Sequence, residues 1–153
     1  MTWMVVRVRG SIHAKHEIVE TLRFLHLTRA NHATVVPEEP AFRGMLSRVQ
    51  GYVTWGETDA ATVGLLLETR GRTHDGKPLA AGSGAGEKGA APNVAELAQA
   101  VVAKGLPRAH GVRPLFRLKA PKGGWRSTKK PFALGGALGY RGPAINELVR
   151  RMV

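Results

Sequence analysis

The sequence predicts an α+β fold in which a β-α-β-α-β core is followed by a helical and strongly basic extension. Two observations support this prediction. Over the first 56 residues, segments whose apolar residues have the spacing of a strand alternate with segments whose apolar residues have the spacing of a helix. In contrast, residues 108–153 hold 11 of the 23 Lys and Arg residues but a single acidic residue, Glu147. We therefore predict a core over residues 1–56 and an extension over 57–153, within one compact domain of 153 residues.

Three strands are predicted in the core. In the run MVVRVRG, Val6 and Val8 alternate with Arg7 and Arg9. This alternation indicates a strand with one apolar face and one basic face. The β-branched run HATVVP at residues 32–37 predicts the second strand, and YVTW at residues 52–55 predicts the third. Proline and glycine residues at the ends of these runs separate them from the helices between them.

Two helices are predicted between these strands, at about residues 15–27 and 42–49, because apolar side chains recur there at helical spacing. Gly51 ends the second of them. Together they would cover one face of a three-stranded sheet.

Three more helices are predicted in the extension from their capping residues. The first runs from a cap at Thr58 or Asp59 to Gly71, the next from Asn93 to Gly105, and the last begins at Pro143. The last has an apolar stripe that would dock it onto the domain, formed by Ile145, Leu148, Val149 and Met152. Residues 72–92 are rich in Gly, Ala and Pro without periodicity, which predicts a long loop or a disordered insert.

The stretch LKAPKGGWRSTKKPF, residues 118–132, holds five cations and no acidic residue. Pro121 and the Gly123-Gly124 pair exclude the interior of a helix. Its like charges repel one another, and little apolar surface offsets the entropy of ordering it. We therefore expect a loop, pinned at both ends, that an anionic partner orders.

The overall charge favours a polyanionic partner, since the net charge is +12 at pH 7 and the isoelectric point is about 11.1. The absence of cysteine excludes disulfides and thiolate metal sites. The first ten residues read as a strand rather than a secretory signal, and no apolar run reaches the roughly 18 residues of a transmembrane helix. We expect a cytoplasmic protein without a membrane partner.

The sequence contains no complete catalytic or cofactor-binding motif. The pattern G-x-G-x-x-G at Gly84, Gly86 and Gly89 lacks a preceding strand and is expected to lie in the flexible insert. Four histidines, His13, His16, His26 and His32, lack a carboxylate at a metal-ligand spacing. We therefore predict no enzyme activity, no cofactor, no metal and no small-molecule substrate.

Four segments resemble one known family when taken together and in order. They are ANHATVVPEEPAFRGML at residues 30–46, YVTWGE, RLKAPKGG and the ending GGALGYRGPAINELVRRM. The sequence resembles the large-subunit ribosomal protein L-thirty family in its longer archaeal form, which is related to eukaryotic L-seven. This resemblance implies a small antiparallel sheet of strand order 3-1-2 backed by helices, similar to a ferredoxin fold, with residues 57–153 as the archaeal and eukaryotic type of extension. The sequence departs from the family at Lys122, where the family has Arg, and in the insert at residues 80–91.

The resemblance also implies a structural constituent of the large ribosomal subunit that binds ribosomal RNA. Its partners would be large-subunit ribosomal RNA, with 5S RNA among the candidates, and neighbouring ribosomal proteins. The alternatives are a general nucleic-acid-binding protein and an RNA-acting enzyme. Arg offers phosphate a planar donor fork, Lys a point charge, and Trp125 a face that would either stack on a base or pack on the domain. The candidate RNA-binding residues are Arg7, Arg9, Arg43, Arg70, Arg72, Arg117, Lys119, Lys122, Gly123, Gly124, Trp125, Arg126, Lys129, Lys130 and Arg141.

Overall fold

The centre of the fold is a mixed β-sheet. The structure is a computed structural model that describes residues 1–79, 94–105 and 111–153. Within these residues the sheet has five strands in the order β4-β2-β1-β3-β5. The strands are β1 (Thr2–Arg7), β2 (His32–Pro37), β3 (Val53–Glu57), β4 (Phe116–Arg117) and β5 (Gly139–Tyr140).

The three central strands confirm the predicted antiparallel arrangement. β1 lies between β2 and β3 and is antiparallel to both, with Val5 opposite Thr34 on one side and Trp55 on the other. The predicted size of the sheet is wrong, however. β4 adds to β2 in the antiparallel sense and β5 adds to β3 in the parallel sense. Each added strand is two residues long, too short for its hydrophobic pattern to be recognised in the sequence.

The predicted helices are all present, with ends shifted by a few residues. Within the described residues they are α1 (His16–Phe24), α2 (Pro40–Val49), α3 (Ala60–Arg70), α4 (Val94–Lys104) and α5 (Ala144–Met152). Asp59 is the N-cap of α3, because its carboxylate accepts a hydrogen bond of 2.8 Å from the Thr62 amide. Gly105 follows α4 with a φ of 68°, the left-handed conformation that favours glycine at a helix end.

Helices cover both faces of the sheet, and the predicted cover of one face by the two core helices is confirmed. α1 and α2 pack on the first face, around Leu22, Leu46 and Val49. α3, α4 and α5 pack on the second face, around the side chains of Met4 and Val6 from β1. All four residues of the predicted α5 stripe are buried there. The extension therefore completes the hydrophobic core, and β1 and β2 are buried along their whole length.

Cover on both faces overturns the predicted basic face of β1. Arg7 is only 2% exposed, and its guanidinium donates to two main-chain carbonyls and one hydroxyl. Nη1 donates to the Leu27 carbonyl at 2.7 Å, Nε donates to the Arg9 carbonyl at 2.8 Å, and Nη2 donates to Ser11 Oγ. Burial lowers the pKa of Arg7. Arg7 therefore ties the end of β1 to the segment after α1 and is unavailable to RNA.

Two sequence predictions fall outside the described residues. They concern the Gly/Ala-rich insert at 80–91, with its three-glycine pattern, and the cap of α4 at Asn93. Across the described ranges, no helix combines the length and apolar character needed to cross a membrane.

Candidate RNA interface

The basic loop, residues 118–132, is attached to the end of α5 by its own main chain. The Lys119 amide donates to the Met152 carbonyl and the Lys122 amide to the Arg151 carbonyl, both at 3.0 Å. Pro121 between them is buried. These bonds join positions about thirty residues apart, so nothing in the local sequence indicates them. The expectation that an anion is needed to order this loop is therefore wrong for its first half.

The second half of the basic loop folds back against the segment that follows it. The Ala137 amide donates to the carbonyls of Ser127 and Lys130, and the Phe132 amide donates to the Leu138 carbonyl at 2.7 Å. Gly136 is buried at this turn, and a Cβ there would collide with the Lys130 main chain. The loop is thus held at both ends, as predicted, by hydrogen bonds that the protein itself supplies.

The cations of the basic loop point away from this scaffold. All five are exposed, and within the described chain none of them forms an ion pair: Lys119, Lys122, Arg126, Lys129 and Lys130. Gly123 and Gly124 form the exposed turn between them, with φ values of 84° and 73°. A side chain at either position would be strained, so these glycines keep the turn narrow. The arrangement presents several donors to an anionic partner over a short length of chain.

Trp125 packs on the domain. It is half-buried and contacts the core on the α5 side of the sheet, together with a small cluster formed by Val8, Ala137 and Leu138. With Arg126, Arg141 and Arg151 it also lines a cleft of about 480 Å³. Glu147 is the acidic residue in the lining of this cleft. Trp125 therefore attaches the middle of the basic loop to the hydrophobic core.

Trp125→Ala is expected to lower the stability of the free protein by about 2–3 kcal/mol, less than the loss of a fully buried Trp. The physical reason is that a half-buried indole loses its contacts with two apolar clusters. Thermal unfolding without RNA measures this effect. An unchanged melting temperature, combined with weaker RNA binding, would instead show that the indole stacks on a base.

Arg141 holds the end of the loop segment against the sheet. Its Nε donates to Thr54 Oγ1 at 2.8 Å, its Nη2 donates to the Ala137 carbonyl at 3.0 Å, and its Cζ lies 4.8 Å from the centre of the Phe132 ring. Burial, with a smaller contribution from the positive charge of Arg151, lowers the pKa of Arg141 to about 10. The side chain thus remains charged at neutral pH, but its donors are largely used within the protein.

Three other candidates converge at a second place, on the β4 side of the sheet. Arg70, Arg72 and Arg117 line a small cleft together with Arg113, which is not among the candidates predicted from the sequence. We call these four residues the arginine cleft. Arg113 lies outside the recognised motifs, and the pairing of Thr73 with Val112 brings it to the others. No local sequence signal could have identified it.

Arg9 and Arg43 line neither the cleft beside Trp125 nor the arginine cleft. Arg9 sits over the Tyr52 ring, with its Cζ 5.3 Å from the ring centre. Arg43 is exposed on α2 and lines a cleft that also contains the carboxylates of Glu38 and Glu57. Because these carboxylates repel phosphate, Arg43 is a weaker candidate than the cations of the basic loop. Among the residues that the structure describes, no three His, Asp or Glu side chains are grouped as metal ligands.

Comparison with known proteins identifies the family. Residues 3–53 match the family described as Ribosomal protein L30p/L7e. The whole chain is 40% identical over 152 residues to the large ribosomal subunit protein uL30 of Methanosphaera stadtmanae, with 99% of each chain covered. The chain belongs to the ribosomal protein L30p/L7e family. The resemblance recognised in the sequence is thereby confirmed.

Other members of the family cover the extension as well as the core. The uL30 protein of Methanoregula boonei is 40% identical over 153 residues, covering 98% of this chain and 99% of its own. That of Korarchaeum cryptofilum is 41% identical over 152 residues, covering 97% and 93%. The similarity to uL30 proteins of archaea therefore includes the segments that form the basic loop and the arginine cleft.

Proposed function

We propose that this protein is a structural constituent of the large ribosomal subunit, in the cytoplasm, and that it binds ribosomal RNA through the basic loop. One observation carries the proposal. In a chain that is 40% identical to uL30 proteins over nearly its full length, the five loop cations are exposed and unpaired among the described residues. Exposed cations without acidic partners are suited to phosphate.

The proposed mechanism is stabilisation of folded RNA by a prearranged cationic surface. The main-chain bonds from Lys119 and Lys122 to α5 fix the path of the loop before RNA arrives. Less conformational entropy is then lost on binding than for a disordered segment. Arg126 supplies a planar fork, while the lysines supply point charges that neutralise closely spaced phosphates. No chemical step is involved.

We propose different roles for the core and the extension. Residues 1–56 would supply the folded core, and residues 57–153 would supply the extension that carries the binding surface. The partners would be large-subunit ribosomal RNA, with 5S RNA as one candidate, and neighbouring large-subunit proteins. Arg9 and the arginine cleft would extend the contact beyond the basic loop.

A competition experiment tests this proposal against general nucleic-acid coating. Labelled large-subunit ribosomal RNA bound to the full chain is challenged with unlabelled ribosomal RNA, 5S RNA or duplex DNA at equal phosphate concentration and constant salt. We expect the cognate ribosomal RNA to compete at least about tenfold better than duplex DNA, because specific complexes exceed non-specific ones by larger factors than this. Equal competition by duplex DNA would identify a general nucleic-acid-binding protein instead.

A further inference from the structure

The arginine cleft brings four guanidinium groups to one small depression beside the start of the basic loop. Arg70 ends α3, Arg72 follows it, and Arg113 and Arg117 belong to the segment that forms β4. The Arg113 amide donates to the Arg72 carbonyl at 2.9 Å, which fixes the two segments together. The uncharged part of the lining is Thr69, Gly71, Pro78 and Leu115.

No carboxylate among the described residues lines the arginine cleft. Like charges held close together repel one another, so the grouping costs free energy unless an anion is bound. The positive field is also felt next to the cleft, at His32, which lies opposite Arg117 in the sheet. Burial lowers the pKa of His32, and the charges of Arg117, Arg29 and Arg7 lower it further. The charged groups that line the cleft among the described residues are therefore all positive.

The hydrogen bonds of the four side chains divide the cleft into a fixed and a free half. Arg70 Nη2 donates to the Val153 carbonyl and Arg72 Nη1 to the Gly76 carbonyl, each at 3.2 Å. Arg113 and Arg117 are exposed, and their guanidinium groups have no hydrogen bond to the described part of the chain. Two donor forks are thus held in position by the protein, and two are free to close on a ligand.

The dimensions of the cleft limit what it can hold. Its volume is about 80 Å³. This space is sufficient for a tetrahedral phosphate group. Guanidinium groups match the oxygens of phosphate and of carboxylate through paired donors, and the polyanionic RNA partner proposed above supplies phosphate.

We propose that the arginine cleft is a binding site for a single phosphate group, and that its ligand in the ribosome is one backbone phosphate of ribosomal RNA. This assignment rests on the proposed function. The basic loop neutralises several phosphates by charge. The cleft, in contrast, binds one phosphate at a defined position through the hydrogen bonds of its guanidinium groups. This site would set the register of the RNA at the point where the basic loop begins.

Variants of the free half of the cleft test the assignment. The double variant Arg113→Gln/Arg117→Gln removes both free forks, and Arg113→Lys/Arg117→Lys keeps the charges but loses the forks. Arg48→Gln, exposed on α2 across the sheet, is the control. Lost charge-assisted hydrogen bonds should weaken ribosomal RNA binding by about tenfold or more for the Gln pair, with an intermediate loss for the Lys pair and little change for the control.

Inorganic phosphate provides a second measurement that needs no RNA. The full chain is titrated with phosphate while the arginine Nε–H resonances are followed by NMR. Saturable shifts at all four arginines of the cleft are expected at constant ionic strength, and those of Arg70 and Arg72 should be lost in the Gln pair.

The outcomes separate this assignment from the proposed function. If the wild type binds ribosomal RNA and both double variants bind it as the control does, the RNA assignment of the cleft is wrong; a saturable phosphate titration would then identify free phosphate as its ligand. If the wild type fails to bind ribosomal RNA, the proposed function is wrong, and the phosphate titration alone decides whether the cleft is a site. Absence of saturable shifts together with unaffected variants overturns the site altogether.

Discussion

Replacing the five cations of the basic loop with Gln should weaken binding to cognate ribosomal RNA and flatten its dependence on salt. Each cation that meets a phosphate releases about 0.7–0.9 counterion on binding, so the slope of log K against log salt should fall in magnitude by roughly 3.5–4.5. The side chains are exposed and unpaired among the described residues, so the variant should fold normally. Titrations from low to moderate salt measure the slope directly.

A control with the same loss of charge separates local contact from overall electrostatic attraction. It replaces five exposed cations outside the loop with Gln: Lys15, Arg23, Arg48, Lys77 and Lys104. Its slope should stay close to that of the wild type, because long-range attraction is weakened without the loss of a direct phosphate contact. Equal flattening in the two variants would show that net charge, rather than the basic loop, determines binding.

Arg7→Met should have the opposite pattern of effects, with a loss of stability of about 2–4 kcal/mol and no direct effect on the salt slope. Methionine fills part of the volume, but the buried carbonyl of Leu27 loses its donor at 2.7 Å. The Arg9 carbonyl and Ser11 Oγ also lose their donors. The free energy of unfolding in urea measures the effect.

Arg9→Met is the matched control for Arg7→Met, because Arg9 is exposed two residues further along the chain. Its stability should be close to that of the wild type. If Arg7→Met unfolds at the same urea concentration as Arg9→Met, the buried hydrogen bonds make no net contribution. If Arg7→Met instead flattens the salt dependence of RNA binding, the guanidinium reaches RNA and its assignment as a structural group is wrong.

Arg7 and β2 show what strand periodicity can and cannot predict. The run at residues 32–37 is a strand over the predicted range, since a β-branched run bounded by proline has few alternatives. The alternation around Arg7 is just as regular, but it cannot show that Ser11 and Leu27, on either side of α1, lie over Arg7 on the face of the sheet that it shares with Trp3 and Val5. A buried arginine and a solvent-facing arginine have the same pattern until the tertiary partner is known.

The parts of the candidate site that depend on local charge could be predicted from the sequence. The parts that depend on contacts between distant segments could not. An acid-free run with a glycine turn correctly indicated exposed cations at residues 118–132. Its attachment to Arg151 and Met152 involves main-chain groups, which have no sequence signature. Arg113 joins the arginine cleft through contacts between distant segments, which are the pairing of Thr73 with Val112 and the hydrogen bond from the Arg113 amide to the Arg72 carbonyl.

Lysine reactivity tests most directly whether the basic loop lies against ribosomal RNA. The free protein and large ribosomal subunits that contain it are treated with an amine-reactive reagent, and modification is quantified by mass spectrometry at each lysine. Lys119, Lys122, Lys129 and Lys130 are exposed in the free chain and should react readily there. In the subunit we expect all four to be protected far more strongly than exposed Lys15 on the opposite side of the sheet. Loop lysines that react in the subunit as fast as in the free protein would contradict this contact.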